Sequence, residues 1–355
     1  MFPAIPDLTL SMPAPQPAIY LDHAATTPLL PAARAAMLEG FALWANPSSP
    51  HRAGRAARAA LEDARARVKA ALGWQGEVIF TSGASEALAL AITRCVQPLA
   101  AVSAVEHDAV LRWAGDTVRL AADRAGLVMA GEAPLAGLVA VQHVNNETGV
   151  IQPLGEIATT VRAAGGLLLA DCAQSAGKIA LPDADLIAIS AHKFGGPIGV
   201  GALLVRDWAM LRPTGGQERG YRGGTENLPG TMAMAAALEA GSDWLEEAAR
   251  LRLLLDEGIV VASGELVAAD APRLATIGGY RMPGRSANAQ LIRFDGMGIA
   301  VSAGSACSSG SLKASPVLTA MGYPQPAEVI RVSIGRETTE DEIMRFLAAW
   351  QEIAA

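Results

Sequence analysis

A lysine stands at position 193 between an apolar run and a glycine-rich turn. Asp185 to Ile189 leads into Ser190, Ala191, His192 and Lys193, and Phe194-Gly195-Gly196-Pro197 follows. An amine at the end of a buried strand is partly desolvated, which lowers its pKa and suits it to Schiff-base formation with a carbonyl cofactor. A second apolar run, Gly166 to Ala170, ends at Asp171. A carboxylate there can pair with the pyridinium nitrogen of pyridoxal phosphate, the partnership that makes that ring an electron sink. A solitary strand-end lysine is usually a surface residue, but the company of Lys193 argues otherwise.

Further residues of the same kind end neighbouring apolar runs. Glu106-His107 closes the run from Ala101, and Asn145-Asn146-Glu147 closes another. Ligands of open α/β sheets gather at the edge formed by such strand ends. A flat imidazole there can stack on a cofactor ring and move protons near neutrality. Gln174, three residues beyond Asp171, can donate to a phenolate oxygen. Thr81-Ser82-Gly83-Ala84-Ser85-Glu86 links a strand to a helix start, where backbone amides and a permissive glycine can hold a phosphate. The plainer reading of that hexapeptide is an ordinary helix cap. Gly196 to Gly201 has dinucleotide-like glycine spacing but precedes a strand instead of opening a helix, so it is set aside. Cys307 lies in Ser305-Ala306-Cys307-Ser308-Ser309-Gly310, surrounded by residues that neither bury nor rigidify it, and reads as an exposed, reactive thiol. Cys95 and Cys172 read as packing residues.

The elements that must position these groups follow from pattern. Short apolar runs at 78–80, 101–105, 138–144, 166–170, 185–189 and 200–205 alternate with helical segments, among them an Ala/Arg/Glu-rich stretch at 56–72 and a helix from Ala87 to Val96. That alternation predicts an α/β fold, a large unit with a mostly parallel sheet flanked by helices. From Gly230 to about Leu255 a long helix is expected, then strands near 275–280, 290–294 and 329–334, and a last helix opened by the capping box Thr339-x-x-Glu342. The expected division is a proline-rich loose arm at 1–17, a large domain at 18–230 whose first residues can join the small one, and a smaller α+β domain at 231–355. A chain of 355 residues with 51% hydrophobic content can bury such cores. The net charge of −7 argues against a nucleic-acid surface. Three cysteines without metal-ligand spacing favour a reducing compartment, and with no apolar run of about 18 residues the cytoplasm is expected.

These motifs together make the chain resemble a cysteine desulfurase of the class V aminotransferase family, a fold-type I pyridoxal phosphate group. The resemblance runs from about residue 19 to 350. It takes in Tyr20-Leu21-Asp22-His23-Ala24-Ala25-Thr26-Thr27-Pro28, Asn46-Pro47-Ser48-Ser49 and Arg331-Val332-Ser333-Ile334-Gly335-Arg336. It implies that Lys193 carries the cofactor, that Asp171 and Gln174 contact its ring nitrogen and phenolic oxygen, and that His107 stacks on the ring. It further implies that Asn146 lies beside cofactor and substrate. Phosphate contacts would come from Ala84, Ser85, Ser190 and His192, and from Thr225 of the other subunit of a homodimer. Arg331 would bind the substrate carboxylate. Cys307, in a loop similar to that of the longer-loop group, would take sulfur from L-cysteine as a persulfide and pass it to an acceptor or iron–sulfur scaffold protein. Two departures stand out. Ser85 replaces the usual threonine, keeping its hydroxyl, and the chain ends soon after Ile353, so the tail docking of housekeeping relatives is not expected here. Selenocysteine or cysteine lyase activity on the same scaffold, or a cofactor-free interaction protein, are the alternatives.

Overall fold

A computed structural model describes residues 19–130, 135–304 and 314–355. Its strands are β1 (Ile19–Tyr20), β2 (Glu77–Thr81), β3 (Leu99–Ser103), β4 (Val118–Leu120), β5 (Leu138–Gln142), β6 (Leu167–Asp171), β7 (Leu186–Ser190), β8 (Gly201–Val205), β9 (Glu265–Leu266), β10 (Ile277–Arg281), β11 (Ile299–Ala300) and β12 (Val329–Ser333). The helices are α1 (Pro31–Ala42), α2 (Arg52–Leu72), α3 (Ala84–Arg94), α4 (Asp108–Leu111), α5 (Leu154–Ala163), α6 (Leu228–Glu239), α7 (Leu245–Val261), α8 (Ala287–Gly296), α9 (Pro316–Ala320) and α10 (Glu340–Ala354). The proline-rich arm expected at 1–17 lies outside the described residues.

Seven strands form the main sheet in the order β2-β8-β7-β6-β5-β3-β4. β8 runs antiparallel to both β2 and β7, and the remaining pairs are parallel. Helices cover both faces, which is why β5, β7 and β8 are buried along their whole length and read as unbroken apolar runs. Successive side chains still alternate between two cores. Leu138, Ala140, Leu169, Leu186 and Ala188 pack with α3, whereas Val139, Val141, Leu168, Ile187 and Ile189 pack with residues of α1, α2, α5 and α6.

A separate core is built on the three-stranded sheet β12-β10-β9 and on α7, α8 and α10. Its largest side chains include Trp350, Tyr280, Phe294 and Phe346. Ile19 and Leu21 also pack here, because β1 pairs with β11. Three expectations are corrected. Residues 290–294 are not a strand but part of α8, whose N-cap Ser286 accepts from Ala289 N and whose buried residues Ala287, Gln290 and Phe294 share one helical face. The expected single helix from Gly230 to Leu255 is two, α6 and α7, since Gly241 takes a left-handed φ of 71° between them. The helix expected at Ala87 to Val96 begins three residues earlier and ends at Arg94. Thr339 and Glu342 form the expected reciprocal capping box on α10.

Candidate active site

Parallel register brings the C-terminal ends of β3, β5, β6 and β7 to one edge of the main sheet. Asp171, the last residue of β6, is buried and accepts from Ala173 N at 2.9 Å. Burial pushes its carboxyl up, and the Ala173 N–H and the charges of His107 and Lys193 oppose that rise. Asp171 therefore lies within electrostatic reach of both His107 and Lys193 at this edge. Lys193 closes a single 3-10 turn after β7, and its Nζ donates to the carbonyls of Ala24 at 2.5 Å and Ala25 at 2.9 Å. The Asp22-to-Thr27 segment thus holds the amine in place. His107 is the N-cap of α4 rather than a strand residue. Its Nδ1 accepts from Ala109 N at 3.1 Å, which puts the proton of a neutral ring on Nε2.

The neighbouring polar groups divide into supports and candidates for contact. Asn145 is a support, accepting from Glu147 N, Thr148 N and the Thr148 hydroxyl, and donating to Val105 O. Asn146 gives its carbonyl to Arg331 Nη1 at 3.0 Å. Gln174 donates to Ala24 O at 2.9 Å with one amide hydrogen, and its buried Oε1 has no partner among the described residues. His192 Nδ1 lies 3.2 Å from the Thr26 hydroxyl. Burial, and then the Lys193 charge, push its imidazole down to about 4, so it is neutral near pH 7.

At the start of α3, Gly83 has φ 152° and ψ 178°, a conformation nearly reserved for glycine. The next helix turn contains Ala84 and Ser85, whose N–H groups belong to the set without intrahelical acceptors. A Cβ on Gly83 would stand 3.5 Å from the Ser190 hydroxyl, and one on Gly201 would lie 2.6 Å from Gly83 Cα, so β8 can run beside this turn only with glycine there. Glu86 accepts from Ser82 N at 2.5 Å and from Arg222 Nε at 2.9 Å, tying the helix start to the segment carrying Thr225. Thr225 lines a cleft together with Thr81, Ser82 and Arg222 of its own chain.

Arg331 comes from the three-stranded sheet. It is buried in the middle of β12, donates to Asp22 Oδ1 at 2.7 Å, and pairs with Ser302 through the backbone in both directions. Its Nε is buried without a partner among the described residues. Cys307 lies outside the described residues. Cys95 and Cys172 are buried, and burial raises both thiols above their usual range.

The donor set fits pyridoxal phosphate. A buried carboxylate, the amide N–H group of Gln174, an amine and a glycine-shaped helix start converge at one sheet edge, matching ring nitrogen, ring oxygen, aldehyde and phosphate in kind. Several participants escaped the sequence reading. Asp22 sits in a quoted motif without an assigned role, although it pairs with Arg331. Lys178 is buried near Lys193, and burial followed by the Lys193 charge pushes its amine down to about 7. Glu106 accepts from the Ser103 hydroxyl and from Gln142 N, each at 2.6 Å, and burial pushes it up to about 8. No local spacing announces these contacts.

Residues 19–346 match the family model described as aminotransferase class-V. A cysteine desulfurase of Rhodobacter capsulatus is 37% identical, covering 96% of this chain and 97% of the relative. A NifS-like protein from Rickettsia africae ESF-5 superposes with a TM-score of 0.86 at 28% identity, covering 94% of this chain and 99% of the other. A solved structure of SspA in complex with cysteine gives a TM-score of 0.77 at 28% identity, covering 91% and 100% respectively.

Proposed function

Because the chain belongs to the aminotransferase class-V family of pyridoxal phosphate enzymes, we propose that it is a cysteine desulfurase acting through Cys307. L-cysteine and the Cys307 thiol yield L-alanine and a Cys307 persulfide. The substrate C–S bond breaks, an S–S bond forms, and the electron pair left on carbon takes a proton at Cβ. The strongest support is the placement of Asp171 at the end of β6 and of Lys193 in the turn that follows the adjacent strand β7, and similarity to named desulfurases and to a cysteine-bound structure agrees with it.

Pyridoxal phosphate, when bound, supplies the electron sink that makes the substrate Cα–H acidic and its sulfur labile. Lys193 would hold the cofactor through its aldehyde and would serve as the base that moves the substrate Cα proton. Asp171 keeps a proton on the pyridine nitrogen, and the second amide hydrogen of Gln174 goes to the phenolic oxygen. His107 would lie against the cofactor ring, with Nε2 left to exchange a proton with the substrate thiol. Ala84 and Ser85 N–H groups, the Ser190 hydroxyl and His192 hold the phosphate, with Thr225 from a second subunit. Arg331 presents its planar fork to the substrate carboxylate beside Asn146.

The same reading divides the chain into a large domain at 18–230 and a small one at 231–355, and makes it a cytoplasmic homodimer serving iron–sulfur cluster or other thio-cofactor assembly. Leu38, Phe41 and Trp44 of α1 and its end, with Ile198, are exposed large apolar residues suited to a subunit contact. Among the described residues no helix is long and apolar enough to cross a membrane. The test compares alanine and sulfide release from cysteine by the wild-type holoenzyme and Cys307→Ser. The variant should bind cofactor and cysteine normally yet release both products slower by orders of magnitude. Near-normal turnover would replace this reading with a lyase.

A further inference from the structure

Residues 305–313 are flanked by two ties, and both lead to Arg331. Upstream, Arg331 N donates to Ser302 O at 2.6 Å and Ser302 N donates to Arg331 O at 3.1 Å. Downstream, the buried Ser315 is the N-cap of α9, accepting from Leu318 N at 3.0 Å while its hydroxyl donates to Glu147 Oε2 at 2.6 Å. Glu147 directly follows Asn146, whose carbonyl accepts from Arg331 Nη1. Glu147, Gly304, Leu318 and Arg331 line one small cavity, so the two flanks border the same space.

The carboxyl of Glu147 needs an explanation. It is 6% exposed, and a buried carboxyl is costly unless it is hydrogen-bonded or paired, as Glu147 is by the Ser315 hydroxyl. Burial raises its pKa, while Ser315, Arg331 and His107 act in the opposite sense. None of the roles assigned above to cofactor or substrate uses it.

We propose that Glu147 is a positioning residue for sulfur transfer: by holding Ser315 it fixes the downstream foot of the Cys307-bearing segment to the strand end that supports Arg331. This rests on the reading of Cys307 as sulfur acceptor. Ser302 and Ser315, on either side of the segment that carries Cys307, are then both keyed to the arginine that would bind the substrate carboxylate. Releasing one foot lowers the effective concentration of the thiol at that sulfur without touching the groups that act on the Cα proton.

The test separates the two halves of the reaction in holoenzyme. Hydrogen–deuterium exchange at Cα of cysteine reports the steps before transfer, and single-turnover mass spectrometry of the Cys307 peptide reports transfer itself. Glu147→Ala should leave exchange within about twofold and slow persulfide formation about 10- to 100-fold, the scale of a small misplacement of reacting groups. Glu147→Gln, whose amide oxygen still accepts from Ser315, should transfer at close to the wild-type rate. Ser315→Ala removes the same bond from the other end and should reproduce the defect; it reads the proposal even when Glu147→Ala does not fold. The double variant should be no slower than the worse single one. Transfer at wild-type rate in both single variants overturns the proposal, as does a parallel loss of exchange and transfer, which would place Glu147 in service of Arg331 alone. Absence of a persulfide on Cys307 in the wild type would instead remove the sulfur-transfer reading and this proposal with it.

Discussion

Asp171 and Lys193 stand at or just beyond the ends of adjacent strands in the seven-stranded sheet, whereas Arg331 stands in the middle of β12 in a separate three-stranded sheet. The first two are fixed by strand register and by cores on both sheet faces. Arg331 is fixed within its own sheet by register with Gly279 of β10 and by the Ser302 backbone pair, and it reaches the first region through single side-chain links, one to Asp22 and one to the Asn146 carbonyl. On the proposed mechanism, covalent and proton chemistry lies with the seven-stranded sheet, and substrate recognition and sulfur presentation with the region joined to it by a few discrete bonds. Damage to the first should abolish chemistry, and damage to the second should weaken selection or transfer.

The sharpest break of that contrast is Lys193→Ala. Borohydride treatment of the variant should leave no cofactor bonded to the chain, and multiple turnover should fall by orders of magnitude; a reducible adduct on another lysine with normal activity would contradict the assignment. Next in size is Arg65→Met. Arg65 and Glu218 form a buried two-bonded ion pair at 2.8 and 2.9 Å, and Glu218 also accepts from Phe80 N of β2. Stranding Glu218 should cost about 3–5 kcal/mol in urea unfolding, and a cost near zero would mean that the registered region does not depend on this pair.

On the other side of the contrast, Arg331→Lys keeps the charge but loses the fork. Hydrogen bonds to charged groups contribute about 1.5–3 kcal/mol, so KM for cysteine should rise about 10- to 100-fold with a smaller change in kcat. A kcat collapse at constant KM would move Arg331 into the chemical half. Glu106 sharpens the comparison through pH. Its carboxyl is raised to about 8 by burial, so the native protein keeps a proton that the unfolded chain releases above its ordinary value near 4.5. The resulting stability is fully present below that value and is lost as pH rises through about 8. Between pH 5 and 8.5 the wild type should lose stability relative to Glu106→Gln by about 1 kcal/mol or more; parallel pH profiles would sink the point. Smallest is Thr339→Ala, which removes half of the α10 capping box and should cost about 1 kcal/mol in thermal or urea unfolding with unchanged KM.

What the sequence made legible follows the same division. Strands buried on both faces read as apolar runs, so the ends carrying Asp171 and Lys193 could be located by composition alone, and Thr339-x-x-Glu342 marked a helix start. The stretch 290–294 was misread because Leu291, Ile292 and Phe294 suggest a strand, while the helical spacing of Ala287, Gln290 and Phe294 decides the matter. Arg331 was legible only through its motif, because its partner Asp22 is 309 residues away in sequence. The Ser315–Glu147 bond spans 168 residues and leaves no periodic trace. Buried ionisable groups such as Lys178 and Glu106 were invisible for a related reason: their shifts come from the surroundings that the fold assembles, not from adjacent residues.

The central claim is that sulfur leaves cysteine for Cys307. Mass spectrometry of the holoenzyme after brief exposure to L-cysteine, with each cysteine peptide resolved, tests it most directly. The account predicts one added sulfur on Cys307 and none on Cys95 or Cys172, whose thiols are buried and raised in pKa. Added sulfur on either buried cysteine, or alanine release with no sulfur on Cys307, would contradict it.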